Sequence, residues 1–171
     1  IIMPALTIKG IVDAVVDLKL VPVYIDLDPD TLCFQIDDLQ KKLGANVKVA
    51  IVTPLFGLVP NMTLIIDLLK DKGVFVIEDF SQCLNGRFDG KRIGTFGDVG
   101  VFSASSIKTL DTLGGGLAIT NNEELYARLK LHQQNLASAG RLFLIRKAWI
   151  NLVRNLATSN PLFSFVTFPV L

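Results

Sequence analysis

The sequence has few of the residues from which metal sites and disulfide frameworks are built. Its 171 residues include two cysteines and one histidine. Cys33 and Cys83 are not at a metal-ligand spacing, and a single histidine, His132, excludes a site built from several histidines. We therefore expect no metal site and two reduced thiols, as is usual in a cytosolic protein.

The sequence also lacks an excess of either charge. It has 17 basic and 16 acidic residues, for a formal net charge of +1. A nucleic-acid-binding domain carries a basic excess on one face, so nothing here favours nucleic acid as a partner. The start has neither the basic region nor the apolar core of a signal peptide, and position 1 is not methionine. We interpret the chain as an internal fragment of a longer protein.

What the sequence does contain is an alternation of apolar strands and amphipathic helices. The predicted strands are 22–27, 47–53, 74–77, 99–103 and 117–120, and the predicted helices are 8–20, 36–43, 61–72 and 122–134. This alternation predicts an α/β fold, a three-layer sandwich around a mostly parallel sheet. Ligands of such sheets bind beyond the carboxyl ends of the strands, which is where Asp79 and Ser103 fall.

Three residue types near these strand ends fit the chemistry of one cofactor. The Asp79 carboxylate would keep a pyridine nitrogen protonated, the Ser103 hydroxyl would bind a phosphate, and the Lys108 amine would attack an aldehyde. Pyridoxal phosphate carries all three groups. Gln82 would contact the ring hydroxyl of that cofactor or line a loop. Alone, Asp79 is also explained as a helix cap and Lys108 as a surface charge, so the prediction depends on their combination.

The order and spacing of many segments resemble the DegT/StrS group of sugar-nucleotide aminotransferases, which are fold-type I pyridoxal-phosphate enzymes. One of these segments is the run Glu-Asp-Phe-Ser-Gln at 78–82. The resemblance covers residues 4–134 and rests on residues 4–7, 22–31, 54–57, 78–82, 94–98, 102–103, 108, 115–116 and 120–121.

The resemblance implies a role for each candidate residue. Lys108 is the aldimine lysine, Asp79 the pyridinium partner, Gln82 a contact to the ring hydroxyl and Ser103 a phosphate ligand. Some relatives that dehydrate sugars carry histidine at the lysine position, so Lys108 favours transamination. The implied reaction moves an amino group from an amino acid such as glutamate to a nucleotide-linked ketosugar. The resemblance further implies a cytoplasmic homodimer, and it makes residues 1–140 an incomplete cofactor-binding large domain.

Two departures from the family pattern leave alternatives open. Ile8 stands where many relatives have an aromatic residue stacked on the cofactor, and residues 104–106 replace the aromatic or histidine and proline usual before the lysine. One alternative is a non-catalytic relative that acts as a binding or scaffold module. The other is a pyridoxal-phosphate-dependent sugar dehydratase.

Residues 141–171 do not fit the family pattern and predict a basic amphipathic helix with an apolar tail, an insertion or a connection to a small domain absent from this chain. Arg146, Lys147 and Arg154 lie largely opposite one apolar stripe. The stripe is formed by Leu142, Ile145, Trp149, Leu152, Val153 and Leu156. The tail between Pro161 and Pro169 is too short to cross a bilayer. Either the helix packs on a domain or subunit outside this chain, or it docks on a membrane surface.

Overall fold

The computed structural model describes residues 1–104, 110, 112, 114–136, 139–160 and 163–164. These residues form eight strands and five helices. In chain order they are β1 Ile2–Pro4, α1 Lys9–Asp17, β2 Val23–Ile25, α2 Ile36–Lys42, β3 Val49–Val52, α3 Met62–Lys70, β4 Phe75–Asp79, β5 Arg87–Phe88, β6 Lys91–Arg92, β7 Val99–Ser103, β8 Gly116–Ile119, α4 Glu123–Gln134 and α5 Arg141–Ala157.

Six of the strands form one sheet in the order β2-β1-β3-β4-β7-β8. Every neighbouring pair from β2 to β7 is parallel, and β8 runs antiparallel to β7 at the edge. β5 and β6 form a separate antiparallel hairpin. The predicted α/β fold with a mostly parallel sheet is confirmed.

Helices cover both faces of this sheet. Successive side chains of a strand point to opposite faces, and Ile51 and Val52 of β3 accordingly belong to different core clusters. Val52 packs in the larger cluster, to which α2 contributes Leu39 and α3 contributes Leu69. Ile51 packs in the smaller cluster with Val15 of α1. The result is the three-layer arrangement expected from the sequence.

Asparagine side chains cap the starts of α3 and α4. The Asn61 side chain accepts a hydrogen bond from the backbone N–H of Leu64 at the start of α3, at 3.1 Å. Asn122 accepts one from Leu125 at the start of α4, at 2.9 Å. Each of these bonds satisfies one of the donors that a helix leaves open in its first turn.

Both cysteines are buried and free. Burial raises the pKa of the Cys33 thiol to about 11, and it also raises the pKa of Cys83. The thiolate is the reactive form of cysteine, so neither group has the lowered pKa of a catalytic cysteine.

Helix α5 contributes no buried residue to either core cluster. It is 17 residues long, and no helix among the described residues is both long and apolar enough to cross a membrane.

Candidate functional site

Asp79 is the last residue of β4, which pairs with β3 on one side and β7 on the other. Ser103 is the last residue of β7. Because β4 and β7 are parallel, their carboxyl ends meet at the same edge of the sheet. The structure therefore brings Asp79 and Ser103 to the carboxyl edge of the sheet, where the site is predicted from the sequence.

A chain of hydrogen bonds joins these two strand ends through Ser81. The backbone N–H of Ser81 donates to Asp79 Oδ1 at 3.0 Å, and the Ser81 hydroxyl donates to the same oxygen. The backbone N–H of Ser103 in turn donates to Ser81 Oγ at 2.9 Å. Within the part of the chain that the structure describes, no hydrogen bond reaches Asp79 Oδ2. Ser81 thus fixes one carboxylate oxygen and leaves the other for a ligand.

Two adjoining cavities open beside this network. The smaller, of about 110 Å³, is lined by Asp79 and Gln82 among others. The larger, of about 700 Å³, shares Asp79 and Ser81 with the first and extends to Ser103. Asp79, Gln82 and Ser103, three of the four predicted site residues, therefore line these two neighbouring cavities, which we call the cleft.

The fourth predicted residue, Lys108, lies outside the described residues. The chain leaves β7 at Ser103 and re-enters the sheet at Gly116, and these two residues are partners in the β7–β8 register. Next to them, the N–H of Ala104 donates to the carbonyl of Gly115 at 3.0 Å. Lys108 belongs to the segment that connects these two points of the chain.

The smaller cavity also holds two hydroxyl groups to which the sequence analysis gave no role. Thr7 and Thr53 line it, and both Oγ1 atoms are buried without a hydrogen-bond partner among the described residues. A buried polar group without a partner costs about 1–3 kcal/mol, so these hydroxyls favour a polar ligand in the cavity. Thr53 directly follows β3, and Asp79 is the last residue of β4. Its position at the end of a strand is the feature of the sequence by which Thr53 could have been predicted as a site residue.

The segment that leads into α1 adds an aliphatic part to the lining of both cavities, although Phe56 also lines the smaller one. Ile8 and Ile11 line both cavities, and Ile8 is 51% exposed. A flat ring bound beside Asp79 would therefore have aliphatic contacts from this segment, as the sequence analysis expects from isoleucine at position 8.

Glu78 lies directly behind the site and is fully buried. Its Oε2 accepts a hydrogen bond from the N–H of Gly94 at 2.7 Å, and its Oε1 accepts one from Gly97 at 2.5 Å. Burial raises the pKa of Glu78, and the N–H bonds from Gly97, Gly94 and Phe96 act in the opposite direction. This carboxyl ties the loop at 94–97 to the strand that ends in Asp79.

The arrangement agrees with a comparison against known protein families. Residues 1–143 match the DegT/DnrJ/EryC1/StrS aminotransferase family. The chain belongs to this family. The family resemblance drawn from the sequence is therefore confirmed, and the match ends at the third residue of α5.

Two curated proteins are about a third identical to this chain over the residues that align with it. A GDP-perosamine synthase of Escherichia coli O157:H7 is 34% identical over 80% of this chain and 38% of its own length. An L-glutamine:2-deoxy-scyllo-inosose aminotransferase of Streptomyces kanamyceticus is 34% identical over 84% of this chain and 33% of its own length. The chain thus spans about a third of the length of these relatives.

Solved structures of family members have the same fold. A DegT/DnrJ/EryC1/StrS aminotransferase from Brucella abortus matches 88% of this chain and 47% of its own at a TM-score of 0.72, with 26% identity. An E. coli GDP-4-keto-6-deoxy-D-mannose-3-dehydratase with bound hydrated PLP matches 75% of this chain and 33% of its own at a TM-score of 0.70, with 26% identity.

Proposed function

We propose that the protein to which this chain belongs is a pyridoxal-phosphate-dependent aminotransferase. It transfers the amino group of an amino acid such as glutamate to a ketosugar linked to a nucleotide. The observation that supports this most directly is the Asp79 carboxylate, held by Ser81 at one oxygen and open to the cleft at the other. The family match and the relative named GDP-perosamine synthase support the substrate class.

The polar side chains in the cleft fit this cofactor. Asp79 Oδ2 would accept the ring N–H, Gln82 would bind the ring hydroxyl, and Ser103 would bind the phosphate. Lys108 supplies the amine that holds the cofactor's aldehyde carbon. When bound, the cofactor supplies an electron sink for the electron pair left on the donor's α-carbon after its proton is removed.

The residues of this chain orient the ring and move protons. The Asp79 carboxylate would keep the ring nitrogen of a bound cofactor protonated, because a nearby opposite charge favours the charged form. Lys108 would be the residue that moves the proton to and from the donor's α-carbon. The reaction balances without an oxidant: glutamate becomes 2-oxoglutarate, and the sugar's carbonyl carbon becomes an amine-bearing carbon.

The finer features of the proposal derive from family resemblance. We propose a cytoplasmic homodimer with its active sites at the subunit interface. Residues 1–140 would be part of the cofactor-binding large domain, and 141–171 a separate segment. A dehydratase is the second candidate because one of similar fold binds hydrated PLP. Lysine rather than histidine at position 108 favours transamination.

The test is an absorbance spectrum of the full-length protein purified with pyridoxal phosphate, taken before and after glutamate is added. We expect a near-visible band that glutamate bleaches and 2-oxoglutarate restores. Borohydride should fix the cofactor covalently in the wild type and in Lys72→Ala, an exposed control, but not in Lys108→Ala. The absence of a band at saturating cofactor would favour the non-catalytic alternative, in which the protein acts as a binding or scaffold module. A nitrogen-free sugar product would instead identify a dehydratase.

Thr53→Val gives a second test, with opposite effects on stability and on binding. Valine keeps the shape of the side chain and removes a hydroxyl that is buried without a partner. We expect the free energy of unfolding of the cofactor-free protein to rise by about 1 kcal/mol, and its affinity for pyridoxal phosphate to fall. Urea unfolding and a cofactor titration measure the two effects. A lower stability without cofactor would show that Thr53 has a protein partner in the full-length molecule.

A further inference from the structure

The charge of this chain is divided sharply along its length. Residues 1–124 contain all 16 acidic residues and 11 of the 17 basic ones, a net charge of −5. Residues 125–171 contain the other six basic residues and no acidic residue, a net charge of +6, and the two parts sum to the chain's +1. The balanced total therefore conceals a strongly basic C-terminal segment.

Helix α5 lies within this basic segment and presents a continuous apolar face. At 100° per residue, six large apolar side chains fall within one arc of about 100°. All are about half exposed or more, from Leu152 at 49% to Leu142 at 83%. The six are Leu142, Ile145, Trp149, Leu152, Val153 and Leu156. This is the stripe predicted from the sequence, and nothing in the described part of the chain buries it.

Basic side chains border the apolar face on both sides. On the helical projection Arg141 lies next to one edge and Arg146 next to the other. Lys147 and Arg154 lie on the opposite face, which also exposes Phe143, Leu144 and Ile150. Long basic side chains at the border of an apolar face keep their stems on the apolar surface while their charged ends reach outward. A helix with tryptophan and leucine on one face and only basic charges on the other is typical of interfacial membrane binding.

We propose that α5 docks on the surface of an anionic lipid bilayer, with its axis in the plane of the membrane. The apolar stripe enters the boundary between headgroups and acyl chains, and Arg141 and Arg146 at its two borders contact anionic headgroups. Residues 1–124 have a net charge of −5, so the attraction to an anionic surface is confined to the C-terminal segment.

A second copy of α5 is a poorer occupant of this face. Pairing two such helices through their stripes places the basic borders of one beside the basic borders of the other. Residues 125–171 contain no acidic side chain that would neutralise them. Anionic headgroups provide the missing negative charge without a matching protein surface.

The test is flotation of the full-length protein with lipid vesicles. Vesicles of phosphatidylcholine with about one-third phosphatidylglycerol should bind the protein at least about tenfold more tightly than vesicles of phosphatidylcholine alone. The double variant Arg141→Glu/Arg146→Glu should weaken binding at least about tenfold, since each basic residue near an anionic leaflet contributes several-fold. The control Lys70→Glu/Lys72→Glu makes the same change in charge at exposed positions around the end of α3 and should bind like the wild type.

Trp149 reports directly on insertion because it is the only tryptophan in this chain and is 64% exposed. Its emission, isolated by subtracting the spectrum of Trp149→Phe, should shift to the blue with phosphatidylglycerol vesicles. Circular dichroism and the melting temperature verify that each variant is folded. Equal binding to both kinds of vesicle, or equal loss in both double variants, would overturn the proposal. The proposal would also be overturned if the folded protein bound neither kind of vesicle and its Trp149 emission were already blue-shifted without lipid. That result would show that another part of the protein covers the stripe.

Discussion

Asp79→Asn is expected to lower the transamination rate by about ten- to a thousandfold while leaving the fold intact. An opposite charge a few Å away shifts a pKa by about 1–3 units, so removing it lowers the protonated fraction of the ring nitrogen by a similar number of powers of ten. The variant remains folded because an asparagine Oδ1 accepts both bonds from Ser81 as the carboxylate does. Single-turnover rates with glutamate measure the effect.

A further experiment separates the loss of ring-nitrogen protonation from a structural effect of the substitution. A cofactor analogue methylated on the ring nitrogen carries a positive charge without needing a carboxylate, so it should restore much of the rate of Asp79→Asn. Asp71→Asn removes an exposed carboxylate after α3 and should retain the wild-type rate. An unchanged rate in Asp79→Asn would show that Asp79 is not the partner of the ring nitrogen.

Much of the sheet could be predicted because its buried strands are short apolar runs. The predicted strand 99–103 coincides with β7. The end of α1 could not be predicted: the expected helix runs to Leu20, but α1 ends at Asp17. Leu20 N–H donates to the carbonyl of Val15 across Lys19, whose φ is +57°. This C-terminal turn usually carries glycine, and lysine in that place gives no signal.

The β5–β6 hairpin was missed although its signal was present. Asp89 and Gly90 connect its two strands, both with positive φ, at +47° and +78°. Asp-Gly is a preferred pair for a two-residue hairpin turn, because that turn requires positive φ at both positions. The flanking strands are only two residues each and are too short to show the alternation by which strands are recognised.

The candidate site was partly predictable for a similar reason. Asp79 and Ser103 end apolar strands, and parallel strands bring such ends together, so their proximity follows from the fold class. The role of Ser81 does not follow from the fold class. Its hydroxyl accepts a hydrogen bond from Ser103, 22 positions away, and this contact depends on side-chain geometry. Alternation along β4 indicates only that Glu78 faces away from Asp79. Which backbone groups Glu78 meets there depends on the course of the loop at 94–97.

Glu78→Ala is expected to lower the free energy of unfolding by about 3 kcal/mol. It removes the acceptors of one buried N–H group, on Gly94, and of one partly buried N–H group, on Gly97. An unsatisfied buried donor costs about 1–3 kcal/mol. Glu78→Gln should cost less because its remaining oxygen still accepts one of the two bonds. Urea unfolding of the cofactor-free protein measures both variants. A cost for Glu78→Ala within about 0.5 kcal/mol of zero, the usual size for a surface change, would contradict the role of Glu78.

The pH dependence of the difference in stability between the wild type and Glu78→Gln tests the ionisation of Glu78. Burial raises its pKa, so the folded state binds this proton more tightly than the unfolded state. The resulting stabilisation is fully present below the unfolded pKa, about 4.3, and is lost as the pH rises through the folded pKa. The stability advantage of the wild type over Glu78→Gln should therefore shrink as the pH rises from about 4.3 towards neutrality. An advantage that stays constant over this range would mean that Glu78 titrates alike in both states. An advantage that grows would mean that the N–H bonds from Gly94 and Gly97 outweigh the effect of burial.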